Sequence, residues 1–174
     1  MKYLILFIFL LPITSEAGIK MRAREHFDIH NIDRDGVKET YTGLSNTINV
    51  WYEKPFDIAY GFSFNPLIGS ARKDQSMLPE LGGRVRFINI GAELKYFLVK
   101  GLFTRFGAGW SQLRSDGVLE ISNGYNGYGG LGYEFLINDI GLALEAAYRH
   151  STLQNDIVVG TFTPSLGVHF YNFF

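Results

Sequence analysis

Three groupings in this 174-residue chain hold residue types capable of chemistry. His150 and Ser151 stand side by side, with Asp156 or Glu120 available as a carboxylate, the set a Ser–His–acid hydrolase uses. On an extended segment, neighbouring residues point to opposite faces, so this pair would not share a site. Asp33-Arg34-Asp35-Gly36 starts like a calcium loop, but the alternating oxygen ligands that should follow are missing. No cysteine is present, which removes a thiol nucleophile, a Cys-ligated metal and a disulfide framework. No metal, cofactor or catalytic set is therefore expected. The third grouping is a set of charges, Lys20, Arg22, Arg24, Asp57, Glu93, Lys95, Arg105, Glu134, Glu145 and Arg149. Both signs occur in similar numbers, so these side chains can pair with one another wherever they are brought together away from water.

The elements that would bring them together are strands. In "FDIAYGFSF", Phe56, Ile58, Tyr60, Phe62 and Phe64 alternate with Asp57, Ala59, Gly61 and Ser63, and period two marks a strand with one apolar face. The pattern recurs in "LFTRFGAGW" and "IGLALEAAY". Eight segments follow, over 19–30, 40–52, 56–68, 83–98, 102–113, 124–137, 140–150 and 157–174. Three short turns keep the apolar faces in phase: Glu53-Lys54-Pro55 sets Tyr52 opposite Phe56, Val99-Lys100-Gly101 sets Leu98 opposite Leu102, and Asn138-Asp139 sets Ile137 opposite Ile140. The other connections, over 31–39, 69–82, 114–123 and 151–156, are longer and polar. Short turns at one end and long loops at the other describe an up-and-down meander, and eight strands close a barrel that side chains can fill.

Which face lies outside follows from volume. The apolar face carries bulky Phe, Leu, Ile and Tyr, too large for the inside of eight strands. The other face carries Gly43, Gly61, Gly91, Gly107, Gly109, Gly130, Gly132 and Gly141 among the charges, which suits a crowded lumen. The charged set then points inward, with Lys95 level with Arg105, and forms a polar plug. Tyr52, Phe56, Tyr96, Tyr133, Phe135 and Phe174 near the short turns, and Trp110, Tyr125, Tyr148 and Phe64 near the long loops, read as two aromatic girdles around an aliphatic band ~25 Å tall. Arg84 and Arg86 fall on the outward phase near the long loops, where either lipopolysaccharide phosphates would meet them or the strand has left the membrane and water solvates them. Glu25 breaks the pattern by pointing at lipid, and a bulge or a register shift in the first strand would remove the conflict.

Lys2, an apolar run over 4–11 and Ser15-Glu16-Ala17 form a secretory signal over 1–17, cleaved before Gly18, which leaves 18–174 as one exported domain. The run is shorter than the roughly 20 residues a membrane-spanning helix needs. A net charge of -1 argues for no nucleic-acid partner.

On these residues, and on "GYGGLGYEFLINDIGLALEAAYRH" before a last strand ending in Phe, the chain resembles the small eight-stranded outer-membrane β-barrels, the superfamily of the OmpA transmembrane domain, OmpX and OmpW. The resemblance implies an all-β transmembrane barrel with short periplasmic turns and longer extracellular loops. It also implies that Leu166, Val168, Phe170 and Phe174 act as the signal read by the barrel-assembly machinery, with Asn172 departing from that pattern. The expected function is a monomeric structural anchor whose loops meet outer-membrane lipids, lipopolysaccharide or other partners. The alternatives are a narrow solute channel or a lipid-modifying hydrolase at the rim. Small lipid A deacylases do use a His, a Ser and a carboxylate there, but the adjacency of His150 and Ser151 departs from their arrangement.

Overall fold

The computed structural model describes residues 18–54, 57–67, 70–72, 81–117, 121–137 and 140–170. The readings made for 1–17, Phe56, Glu120, Asn172 and Phe174 lie outside them. Nine strand segments follow one another: β1 (Gly18–Arg34), β2 (Val37–Lys54), β3 (Ile58–Leu67), β4 (Ser70–Arg72), β5 (Arg84–Val99), β6 (Leu102–Ser115), β7 (Ile121–Ile137), β8 (Ile140–Leu153) and β9 (Ile157–Phe170). β3 and the short β4 both lie between β2 and β5, so they form one stave. β1 pairs with both β2 and β9, which closes eight antiparallel staves into a ring.

Register fixes how the ring is tilted. The path Arg22–Asn49–Ser63–Gly91–Gly109–Asn126–Ser151–Val159 steps between paired residues on successive staves and returns to β1 at Ile32, not at Arg22. A displaced return means strands inclined to the barrel axis, as closure of a twisted sheet requires. The closing ladder has one gap. Between β1 and β9 the pairing skips Phe27 and Asp28 and resumes in the same register, opposite Pro164, which has no N–H to give.

Alternation of burial along the strands confirms the two faces. Leu44, Phe62, Leu131, Leu144 and Leu166 are exposed on the outside, whereas Asn49, Lys95, Arg105 and Glu134 are buried inside. Aromatic side chains crowd both ends of the outer face, including Tyr52 against Tyr60 at 5.5 Å and Tyr133 against Phe135 at 4.7 Å near the short turns, and exposed Tyr125 and Tyr148 near the other rim.

Several expected boundaries shift. β2 runs on to Lys54, so Tyr52 faces Tyr60 rather than Phe56, a four-residue change that preserves the phase of both faces. Val99, not Leu98, pairs with Leu102, because Leu98 is the extra residue of a bulge beside Phe97. Lys100-Gly101 is then the turn, and Gly101 takes the expected positive φ, at 88°. Ile137 faces Ile140 as expected. At the opposite rim two supposed loops are mostly strand. Asp35 (φ 53°) and Gly36 (φ 82°) alone join β1 to β2, a two-residue hairpin of the kind Asp-Gly favours, so this stretch is a turn and not a calcium loop. β8 and β9 are joined by three residues, with Asn155 and Asp156 at positive φ.

The strands run on because the pattern changes sign. In β1 the apolar side moves from Phe27 outside to Ile32 inside; in β6 it moves from Phe106 to Leu113; and in β9 it moves from Phe162 to Val159 and Ile157. Inside the loop end these residues, with Tyr41, Leu81, Val85, Phe87 and Leu153, form a buried apolar cluster. Outside it the wall is polar, with Asn31, Lys38 and Thr40 exposed. Apolar-out gives way to apolar-in where a wall leaves lipid for water.

Candidate functional site

The inward charges lie in two linked groups near the short-turn end, each with two cations and two carboxylates. In the lower group Arg22 bonds Glu53 and lies 3.7 Å from Glu134, and Lys95 Nζ donates to Glu134 Oε2 at 2.5 Å. In the upper group Arg24 reaches Glu145 at 3.2 Å and Glu93 at 3.4 Å, and Arg105 reaches Glu145 at 2.7 Å and Glu93 at 3.7 Å. Asn49 joins two members of the upper group, accepting from Arg24 Nε at 3.1 Å and donating to Glu93 at 2.7 Å. Trp51, almost fully buried, lies under both groups, its ring centroid 5.0 Å from the Arg22 guanidinium carbon and 5.2 Å from that of Arg105. Lys95 Nζ lies 4.4 Å from the Phe97 ring and 4.2 Å from that of Phe103. Cations buried against aromatic faces and paired with carboxylates are compensated in a way that unpaired charges would not be.

Glycine makes room for these rings. Tyr128 packs over Gly107, its cross-strand partner, and Phe103 packs over Gly132 in the same relation; a Cβ at either glycine would collide with the ring. Above the charges is a cavity of about 30 Å³, lined by His26, Asp28, His30, Tyr128, Arg149 and Thr161 among others, large enough for on the order of two waters. Asp28 accepts hydrogen bonds from Ser45 and, at 2.7 Å, from Thr163 Oγ1, and His30 Nδ1 lies 2.9 Å from Thr161 Oγ1. The Arg149 guanidinium sits 4.9 Å over the Tyr128 ring. The apolar cluster comes next, at the loop end.

Other predicted residues are placed as follows. Lys20 is half-buried opposite Trp51. Asp57 is not in the lumen: it sits in the turn after β2 and pairs with Lys54 at 2.9 Å, because β2 extends past the expected turn and puts Glu53 inside instead. Leu166 and Val168 are exposed on the outer face, and Phe170 ends β9. His150 points outward and Ser151 inward, where its nearest hydroxyl is that of Ser111 at 3.4 Å. Asp156 is in the turn beyond them. That arrangement holds no nucleophile–base pair. At the loop rim Arg86 and Arg114 are exposed cross-strand neighbours and, with Arg84 and Asp116, border an open cleft of about 450 Å³, where Asp116 Oδ1 accepts from the Arg84 backbone N–H at 3.0 Å.

Comparison with known proteins agrees with this geometry. No protein-family model matches the chain, and no curated protein does. Among solved structures, Ail, the attachment invasion locus protein of Yersinia pestis, in complex with the heparin analogue sucrose octasulfate, superposes with a TM-score of 0.59 at 17% identity, covering 87% of this chain and 99% of that one. Neisserial surface protein A, NspA, superposes with a TM-score of 0.58 at 15% identity, covering 89% and 99%. The fold is that of the small outer-membrane β-barrels.

Within this barrel fold, members of the site not singled out from sequence include Trp51, Glu53, Asn49, Tyr128 and the line His26, Asp28 and His30. Phase alone could have found the last three, since they continue the even-numbered inward positions of Arg22 and Arg24 on β1. Asn49 and Trp51 already stand on the odd-numbered inward phase of the expected second strand, and Glu53 was recoverable only by carrying that phase past Tyr52.

Proposed function

We propose that the chain is a closed outer-membrane barrel, an anchor that holds a polar rim at the cell surface and conducts no solute. The observation that carries this reading is the series arrangement of compensated ion pairs around Trp51 and, further along the axis, the buried cluster of Ile32, Tyr41, Val85, Leu113 and Val159. An ion crossing the lumen would have to displace buried ion pairs and then pass a layer of packed apolar side chains, whose one buried carboxylate among the described residues, Glu39, is already bonded by the Tyr41 hydroxyl at 2.7 Å, and each step is costly. The short-turn end, with the aromatic belt beside it, faces the periplasm, and the hairpin ends face outward. The exposed outer wall of Leu44, Phe62, Leu131 and Leu166 supports residence in a bilayer.

At the outer rim Arg86, Arg114 and Arg84 border one cleft with a single carboxylate, Asp116, among its described lining residues, and three cations against one carboxylate favour a further anion. Lipopolysaccharide phosphates supply one at that height, and guanidinium groups match phosphate geometry. The strand residues Leu166, Val168 and Phe170, with Phe174, are the segment offered to the barrel-assembly machinery. Planar-bilayer recording from the refolded full chain tests the closed lumen: no steady conductance steps are expected, and reproducible single-channel steps would overturn it.

A further inference from the structure

We propose that two copies of this barrel meet in the membrane through Glu25 and Asn46, each copy's carboxyl group hydrogen-bonding the other's carboxamide. Glu25 is the odd residue of the apolar belt. The β1–β2 ladder runs without interruption from Gly18 to Arg34, so no bulge turns Glu25 inward, contrary to the sequence-based expectation. The side chain is exposed on the outer face, level with its ladder partners Asn46 on one side and Leu166 on the other. Exposed Phe27 follows it along β1. An ionisable side chain within the belt is costly unless it finds a partner.

A second, independent observation lies beside it. Asn46 is half-exposed on the same face and, like Glu25, makes no side-chain hydrogen bond among the described residues; its Oδ1 is turned inward and buried, which leaves the Nδ2 donor as the group a visitor can reach. The two lie across the same ladder rung without bonding each other, where the β2–β3 register shifts next to Asn46. Two unsatisfied polar groups side by side in an apolar surface ask for one visitor carrying the complementary groups at the same depth.

A second copy carries them. A two-fold axis along the membrane normal keeps depth and exchanges left for right, which brings Glu25 of one barrel opposite Asn46 of the other and the reverse. Each copy's Asn46 Nδ2 donates to a carboxyl oxygen of the other's Glu25, so the two-fold axis makes the pairing reciprocal. Leu44, 71% exposed, and Ile48 and Leu166 flank the pair and would be covered by the same contact. This departs from the monomer expected from sequence.

The chain has no cysteine, so a single introduced thiol reports position without background. Ile48→Cys lies beside the pair, and Leu131→Cys on β7 marks another part of the wall. Outer membranes from cells making each full-length variant are treated with a short bismaleimide, and only the band showing the folded, heat-modifiable gel shift is scored. Ile48→Cys should give a dimer adduct, and adding Glu25→Leu or Asn46→Leu should cut its yield about fivefold, the effect of losing interhelical-strength hydrogen bonds in a membrane. Equal yield from Leu131→Cys, an adduct undiminished when both polar residues are replaced, or an adduct with the mass of a different protein would overturn the proposal.

Discussion

Arg105 on β6 reaches Glu145 on β8 at 2.7 Å by passing over β7, whose residue at that rung is Gly130. A Cβ on Gly130 would lie 2.9 Å from the Ala147 Cβ and 3.1 Å from Glu145 Oε1, so the missing side chain is what opens the path. Because Glu145 serves both Arg24 and Arg105, its loss strands positive charge in a buried layer. Glu145→Leu should destabilise the barrel by about 3–5 kcal/mol, and the double variant Glu145→Leu/Arg105→Met should regain most of that. Urea titration of the protein folded into lipid vesicles measures both; equal loss in the single and double variants would show the charge is not what matters.

At the β1–β9 seam, Thr163 bonds Asp28 at 2.7 Å at the rungs where the backbone ladder is interrupted. A side chain there does the work of the missing ladder bonds. Thr163→Val keeps the shape and removes the bond, at a cost of about 1.5–3 kcal/mol for a hydrogen bond to a charged group. Hydrogen exchange should speed at Ile29 and Phe162, which flank the gap, and leave the β6–β7 amides unchanged.

Arg86 and Arg114 should bind lipopolysaccharide as a unit, since they are cross-strand neighbours over one cleft. Replacing both by Ala is expected to weaken binding to the refolded barrel about tenfold, a difference that shrinks as salt is raised. Co-sedimentation with lipopolysaccharide vesicles at two ionic strengths reads this; a tenfold change that persists at high salt would point to contacts other than charge.

Gly36 has open space around the position a Cβ would occupy, so only its φ of 82° resists a side chain. Gly36→Ala should therefore cost about 1–2 kcal/mol, the penalty of a left-handed backbone for an L-residue, and Gly36→Asn less. The same vesicle titration measures it, and an Ala variant as stable as the parent would show that the hairpin relaxes to another turn.

The staves, the two faces and the level pairing of Lys95 with Arg105 were legible because strand phase survives errors in turn position. Asp57 and Glu53 show the limit of that method. Pro55 draws a turn towards itself on sequence grounds, yet β2 runs to Lys54 and Glu53 completes the lower ion group. The apolar cluster was illegible for a different reason. Ile32, Leu113 and Val159 obey the same period of two as the rest of their strands, but with the inside and outside exchanged, and a reading that fixes one apolar face per strand takes the polar outer residues Asn31 and Lys38 for loop. Glu25 was visible as an anomaly from the start; what sequence could not supply was that no bulge removes it and that its neighbour Asn46 is also unsatisfied.

The path that leaves β1 at Arg22 and returns at Ile32 constrains how such a chain can change length. Removing a single residue from within β7 would turn Leu131, Tyr133 and Phe135 from lipid to lumen beyond the cut, whereas removing two would restore the faces but alter where the path comes home, and so the girth and slant of the whole ring. Insertions at Asp35-Gly36 or at 154–156 do neither. Variation in this wall is therefore quantised, and continuous change is left to the tips.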